Sequence, residues 1–503
     1  MIKRQKIAII AAVVALVAVA VLYFALVKPM IDENSAVVED PPETLPGEDI
    51  GTSNRYYMYS HLDRSEMRSI EVTNEYGTYK FIADGEGSFY IDGYRGIEVD
   101  GTLLSSLVTT CGSTLSKLRV TADASDEKLE EYGLKNPTAY WILTDNSGKQ
   151  YKVYVGRKLL TGGGYYCAFA GRNSVYVLDT TLASTILEPI ETFVTPYIIY
   201  GVSQDDFYTV EDFTIYNGNQ RFITVGMVDK NEWSSEDALA EYVLSYPAPY
   251  TPDSEKYLSL LLAFSSFTAD STFKLGVEEK DLETYGFTNP DHTVYFRYNG
   301  SEYYFLMSDD GEGGYYVLSG IYPDIITRIS KENAAFADYD LLSWLSPYFF
   351  RRNITTISSI RVQTGKVDET FNLSHFTSED GTASFQILTD SGRAFTSAFD
   401  IKNFRHYYGN LLALGIVDYL PEEASEGVSM ESFLADEANR TMRITCVTLN
   451  GYKYTFDIYR YSTRRCAVSV NGRFDFCILN DIVSRIESDT EKFLNGEQVT
   501  GTY

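Results

Sequence analysis

The stretch EEYGLKNPTAYWIL, residues 130–143, returns 153 positions later as ETYGFTNPDHTVYF, residues 283–296. This spacing restricts the fold more than composition does. It is far longer than the roughly 20–50 residues of a solenoid repeat, so the repeating unit must be a domain. Other echoes keep the same spacing. SIEVTN at 69 matches DFTIYN at 212 and SIRVQT at 359. GGYYCAFAGRNSVYVLD from 163 aligns with GGYYVLSGIYPDIITRIS from 313, and RRCAVSVNGRFDFCILND from 464 is a third copy. The period is 143 to 153 residues, which sets three units at 55–203, 204–353 and 354–503.

Within each unit the periodicities agree. An opening meander such as SIEVTNEYGTYKFIADGEGSFYID, turning at Asn74–Gly77 and Asp84–Gly87, precedes an amphipathic helix. That helix is VDGTLLSSLVTTC, SEKYLSLLLAFSSF or IKNFRHYYGNLLAL in the three units. A short helix, four further strands and a closing helix such as TTLASTILEPI follow. YKVYV and YKYTFDIY show the period of two of half-buried strands. Asn299-Gly300, Asn450-Gly451 and Asn471-Gly472 between apolar runs predict hairpin turns. Each unit therefore reads as α+β, with helices packed on antiparallel sheet.

The repeated phrase itself reads as a helix stop. Ser125 supplies an N-cap, and Leu129 and Tyr132 share a helical face, as do Leu282 and Tyr285. Gly133 and Gly286 fall where the chain needs a left-handed residue. Leu134 and Phe287 fold back on the apolar face, and Pro137 and Pro290 hand the chain to a strand. Every residue in the phrase has a structural duty, which argues against a duplicated binding site. The third unit lacks the phrase and has EGVSMESFLADEANRTMRI in its place.

Location follows from the first thirty residues. Lys3, Arg4 and Lys6 precede an unbroken apolar run, Ile7 to Val27, closed by Lys28 and Pro29. At about 1.5 Å per residue the run spans about 31 Å, enough for a bilayer core. Ala18-Val19-Ala20 would serve as a cleavage site, but Val21–Val27 continues the run, so the reading is an uncleaved anchor. The basic end is expected in the cytoplasm and the rest outside. Residues 1–28 are thus read as cytoplasmic tip and anchor, and 29–54 as an acidic, Pro-rich linker. Four of the 42 Lys and Arg, and none of the 70 Asp and Glu, lie before residue 29, so the remainder carries about −32. Such a field repels nucleic acid, anionic headgroups and anionic wall polymers.

Chemistry-bearing candidates were weighed one by one. His61, His292, His375 and His406 hold no metal-ligand spacing and do not recur between units. TGGGYY, residues 161–166, lacks the Lys-Ser/Thr of a phosphate loop. Asp309-Asp310-Gly311-Glu312 lacks calcium-loop spacing. No G-x-S-x-G elbow occurs. The 41 tyrosines suit either strand packing or an exposed platform for sugar rings, and packing is preferred. Counting back from Asn471-Gly472 sets Cys466 opposite Cys477 on one face, where a bridge would be strained. Two small buried thiols are the expectation, and a bridge the alternative. No catalytic residue, metal ligand or cofactor is assigned.

DEKLEEYGLKNPTAYWILTDNSGKQYKVYVGRKLLTGGGYYCAFAGRNSVYVLD resembles the bacterial DUF4340 family, a domain of unknown function. The shared signs are the Tyr-Gly-Leu-x-x-Pro helix end, the glycine turn, the VG strand end and the VYVLD strand. The resemblance is clearest over 126–200, weaker over 279–350 and faint in the third unit. It implies a membrane-anchored envelope protein, often encoded near ABC-type transporter or gliding-type machinery, and brings no catalytic residues. The expected function is that of a non-catalytic accessory or scaffold subunit in the bacterial envelope. A wall-glycan-binding module and an unrecognised hydrolase are the alternatives.

Overall fold

The computed structural model describes residues 43–50, 55–203, 209–227, 242–377 and 383–501. The apolar run Ile7–Val27 lies outside them. Among the described residues no helix is long and apolar enough to cross a membrane.

Three large antiparallel sheets dominate, with eight α-helices among the described residues. The first sheet contains β1 (Met67–Asn74), β2 (Gly77–Ala83), β3 (Phe89–Ile91), β4 (Leu118–Thr121), β5 (Ala139–Asp145), β6 (Gln150–Lys158), β7 (Gly164–Phe169) and β8 (Val175–Asp179). Its spatial order is β3-β2-β1-β5-β6-β7-β8-β4. The second contains β9 (Glu211–Asn217), β10 (Gln220–Met227), β11 (Tyr242–Tyr246), β12 (Ser271–Leu275), β13 (His292–Tyr298), β14 (Ser301–Asp309), β15 (Gly314–Ser319) and β16 (Tyr322–Ser330). Its order, β11-β10-β9-β13-β14-β15-β16-β12, is the same. The third contains β17 (Ile357–Thr364), β18 (Asp368–Thr377), β19 (Ala383–Thr389), β20 (Ala394–Phe395), β21 (Asp418–Tyr419), β22 (Arg440–Thr448), β23 (Lys453–Arg460), β24 (Arg465–Val470) and β25 (Arg473–Leu479). It repeats the order once more as β20-β19-β18-β17-β22-β23-β24-β25-β21, with β20 added at one edge.

The α+β class is as expected, but one strand per sheet went unread. β4, β12 and β21 each follow the long helix and cross over to the far edge of their sheet. All three are short, two to five residues, and bury no side chain fully, so the brief alternation in LRVT and STFKL is too short to announce them.

In the first sheet, Ile70, Val72, Phe81, Trp141, Leu143, Val153 and Val155 are fully buried. They face α1 (Gly101–Ser113) and α3 (Thr180–Leu187), which bury Leu104, Leu107, Cys111, Ala183 and Ile186. Burying each large aliphatic or aromatic side chain contributes about 1.5–3 kcal/mol before the entropic cost. The opposite face carries a smaller cluster under α2 (Asp126–Glu131), where Leu134, Ala168 and Val175 meet Leu129, Tyr132 and Tyr166. The second sheet repeats it under α5 (Glu279–Thr284) with Phe287, Leu318, Ile326, Leu282 and Tyr316. The third builds it from Met430, Phe433, Leu434, Tyr459 and Phe474 under α7 (Met430–Ala435). That helix occupies the place of the missing phrase.

The phrase stops its helix by geometry. Gly133 has φ +73° and Gly286 φ +79°. After α2, the Gly133 N–H donates to Glu130 O at 3.0 Å and the Leu134 N–H to Leu129 O at 2.8 Å. After α5 the second bond comes one residue later, from Thr288 to Leu282 O. Gly156, in the VG strand end, lies directly beneath, because a Cβ there would meet Tyr132 O at 2.3 Å.

Three local expectations are corrected. The second unit closes not with an α-helix but with two 3-10 turns, Ala335–Asp338 and Leu342–Trp344. Asp338 is drawn off to accept from Tyr315 Oη at 2.7 Å, and Asp340 accepts the Ser343 N–H at 2.8 Å. Asn299-Gly300 and Asn471-Gly472 are two-residue turns with both residues at positive φ, but Asn450 is not at positive φ. Its hairpin is a longer loop, closed by Thr448 and Tyr452. In the last hairpin Val470 opposes Arg473 as counted, but a bulge then sets Cys466 against Ile478 and Cys477 against Ala467. The two cysteines therefore face opposite sides of the sheet, and all five cysteines are free and buried.

Part of the stretch read as a linker is held in place. Asp49–Ile50 pairs with Tyr56–Tyr57. The Glu48 carboxylate, inaccessible to solvent, accepts from Arg119 Nη1 at 2.6 Å, from the Leu45 N–H at 2.7 Å and from Tyr176 Oη.

The chain divides into two compact bodies at Phe193/Val194. The second and third sheets belong to one body and share one core, in which Tyr250, Trp344, Phe349, Leu414 and Phe476 participate.

Candidate functional site

The first sheet carries the most developed concavity. It forms where the turn before β1, the β2–β3 hairpin and the start of α1 converge. Asp63 opens a 3-10 turn, Arg64–Glu66, by a reciprocal cap in which its N–H donates to Glu66 Oε2 at 2.8 Å. The turn aims Arg64 at Phe89, the guanidinium carbon lying 5.6 Å from the ring centre. The hairpin is shaped by Asp84, whose Oδ1 accepts the N–H groups of Glu86 at 2.8 Å and Ser88 at 2.9 Å. Those bonds hold its carboxyl below the ordinary range. At the far wall Asp100 caps α1 by accepting from Thr102 and Leu103.

Two adjoining cavities result, of about 660 and 610 Å³, sharing Arg64 and Glu86–Phe89. Phe89, Ile97 and Leu104 give the larger one an apolar floor, and Arg64, Arg95, Asp84, Glu86 and Glu98 line it with charge. Arg95 lies over Tyr90 at 5.2 Å. The Arg64 Nε is sealed from solvent and has no acceptor among the described residues. None of the five charged side chains forms an ion pair with a described residue. The lining offers opposite charges and an apolar floor, with serines but no histidine or cysteine.

The residues weighed in the sequence lie elsewhere and apart. His61 Nε2 is 3.2 Å from Asp63 at the surface, and His292 Nδ1 is 3.0 Å from Asn217 Oδ1. His375 Nε2 lies 2.6 Å from Ile357 O, and His406 Nδ1 lies 3.2 Å from Val499 O. Among the described residues no three His, Cys, Asp or Glu side chains converge as a metal site would require. The Gly162–Gly164 run is a strand connection, where a Cβ on Gly164 would meet Leu178 O at 2.4 Å. In the acidic loop, Asp310 is buried against Arg328 Nε at 2.5 Å, and Asp309 pairs with Lys331 at 2.9 Å. Of the exposed tyrosines, Tyr200 stands beside Tyr197, whose ring is tilted only 22° from that of Tyr322.

Sequence reasoning passed over Arg64 and Arg95. Neither sits in a motif, and the cleft joins residues up to 41 positions apart. The alternation of the β2–β3 hairpin was the available signal, because it puts Phe89 on the core face beside a turn.

No curated protein and no solved structure matches the chain. The profile of one family does, over residues 90–281, from β3 of the first sheet to α5 of the second unit. The match contains the whole of 126–200 and only the first residues of 279–350. Residues 90–281 match the profile of DUF4340, a domain of unknown function.

Proposed function

We infer that the protein is a non-catalytic, membrane-anchored envelope protein acting as an accessory or scaffold subunit beside other envelope components, such as an ABC-type transporter. In this reading Ile7–Val27 is the anchor, and the three sheets are related domains outside the membrane. The observation that carries it is what the repeats have in common. Strand order, helix stops and apolar clusters recur in all three or in two. The histidines do not, and Phe207 and Ile354 stand at the positions matching Arg64. Duplicating a catalytic unit would be expected to duplicate its polar constellation; duplicating a surface needs only the packing.

The held segment 43–50 adds a constraint. Only fifteen residues, 28–42, separate the apolar run from it, and at about 3.3–3.6 Å each they reach at most about 54 Å. The first domain therefore works close to the membrane, where confinement to one plane raises effective concentration and lets weak contacts suffice.

Cross-linking in intact cells followed by detergent purification should recover membrane-protein partners. Full complementation by a freely secreted chain starting at residue 43, or turnover of generic ester, glycoside or peptide substrates, would overturn this reading. The Tyr197, Tyr200 and Tyr322 grouping favours the glycan-binding alternative. Retention on purified wall polysaccharide that is lost on Tyr200→Ala and Tyr322→Ala would establish that alternative instead.

A further inference from the structure

We propose that the cleft of the first sheet binds a small zwitterion bearing an apolar group, of the amino-acid or dipeptide class. The case begins with Arg64. A half-buried guanidinium with a sealed, unsatisfied Nε is costly, since an unpaired buried donor loses its bond to water and gains none in return. In a chain with 70 carboxylates against 42 cationic side chains, a partner for it would be easy to supply. Its ring contact with Phe89 fixes the guanidinium in place and satisfies none of its N–H groups. The sealed Nε is out of a ligand's reach, but the terminal Nη groups also have no acceptor among the described residues, and they can grip a carboxylate arriving from solvent with two parallel hydrogen bonds.

A bare anion would, however, meet Glu86 and Glu98 in the same cavity. Neither pairs with Arg64 or Arg95, nor does Asp84, whose carboxylate is taken up by the hairpin N–H groups, so two cations and three carboxylates line one wall set without forming ion pairs. A ligand carrying both a carboxylate and an ammonium satisfies both signs at once. The floor of Phe89, Ile97 and Leu104 then takes its apolar group, and about 660 Å³ lies within the usual range for small-molecule sites. At the 143-residue offset the second unit's sequence has Phe207 in place of Arg64. Ile354 stands where Arg64 does, as the first residue of the 3-10 turn before β17. Arg64 thus has no arginine counterpart in the other two units, and the cleft proposal does not depend on the scaffold reading.

The test titrates the full-length detergent-solubilised protein with L-phenylalanine and the dipeptide Leu-Phe by calorimetry. Two analogues, 3-phenylpropanoate without the ammonium and 2-phenylethylamine without the carboxylate, are titrated in parallel. Saturable binding of a zwitterion, weakened at least about tenfold in both analogues and in Arg64→Gln, is the expected result. The analogue comparison needs no variant, so it stands even if Arg64→Gln misfolds. Arg95→Gln on the exposed rim should weaken binding with unchanged thermal melting. The absence of saturable binding up to about 20 mM, far weaker than specific sites of this size, would overturn the proposal. Equal binding of either analogue would overturn it too, as would undiminished binding by a folded Arg64→Gln protein.

Discussion

Gly133 and Gly286 are the residues whose replacement tests the helix stop most directly. Both lie at positive φ, where a side chain costs about 1–2 kcal/mol and a β-branched one more than Asn. At Gly133 a Cβ would also come within 2.7 Å of Arg157 Cγ and 3.1 Å of its backbone N, so Val should destabilise the first body more than Asn in chemical denaturation. Ser308 in β14 corresponds to Gly156, and its buried hydroxyl has no partner among the described residues. Ser308→Ala removes an unsatisfied group and should stabilise the second body by about 1 kcal/mol. His292 predicts a pH dependence. Burial against Asn217 and Tyr315 lowers its pKa below the ordinary value. The unfolded chain then binds the extra proton, so the stability contributed by neutral His292 is full above about pH 6.5 and falls as pH drops below it. Denaturation midpoints between pH 7 and 5.5 should show this slope in the wild type and a shallower one in His292→Gln. These effects were legible in the sequence only for the glycines, because a left-handed cap announces itself by residue type and burial of a hydroxyl or an imidazole does not.

The last hairpin shows how one element escapes local reasoning. Its turn, Asn471-Gly472, and its first two pairs follow from the sequence. Asp475 is the residue left over by the bulge. Its carboxylate accepts from Tyr250 Oη at 2.6 Å and from Arg473 Nε at 2.6 Å, and its carbonyl accepts the Leu420 N–H at 2.9 Å. A partner 225 positions away is what pulls the strand out of register. Since side chains alternate with a period of two, that single extra residue sends Cys466 and Cys477 to opposite faces. Mass spectrometry of protein denatured in iodoacetamide without reductant should therefore find five alkylated cysteines per chain. In the native state the thiols should react slowly, burial having pushed Cys466 to about 11 and Cys446 to about 12.

At the scale of the molecule, the second and third sheets share one core and the first lies in a separate body. A fragment 194–501 should therefore fold and melt in one cooperative transition, whereas fragments ending at 353 or starting at 354 should not. Circular dichroism melts of the three fragments would decide this. The repeat period, the α+β character and the helix stops could be read without coordinates, because each rests on contacts between residues close in sequence. So could the apolar run of Ile7–Val27 as a pattern, although its role is a proposal. The crossover of β4, β12 and β21, the register of Cys466, the burial of Glu48 and the meeting of Arg64 with Phe89 were decided only by tertiary structure. Each depends on a partner brought close by folding, and a chain carries no local mark of the group that will satisfy a side chain from dozens or hundreds of residues away.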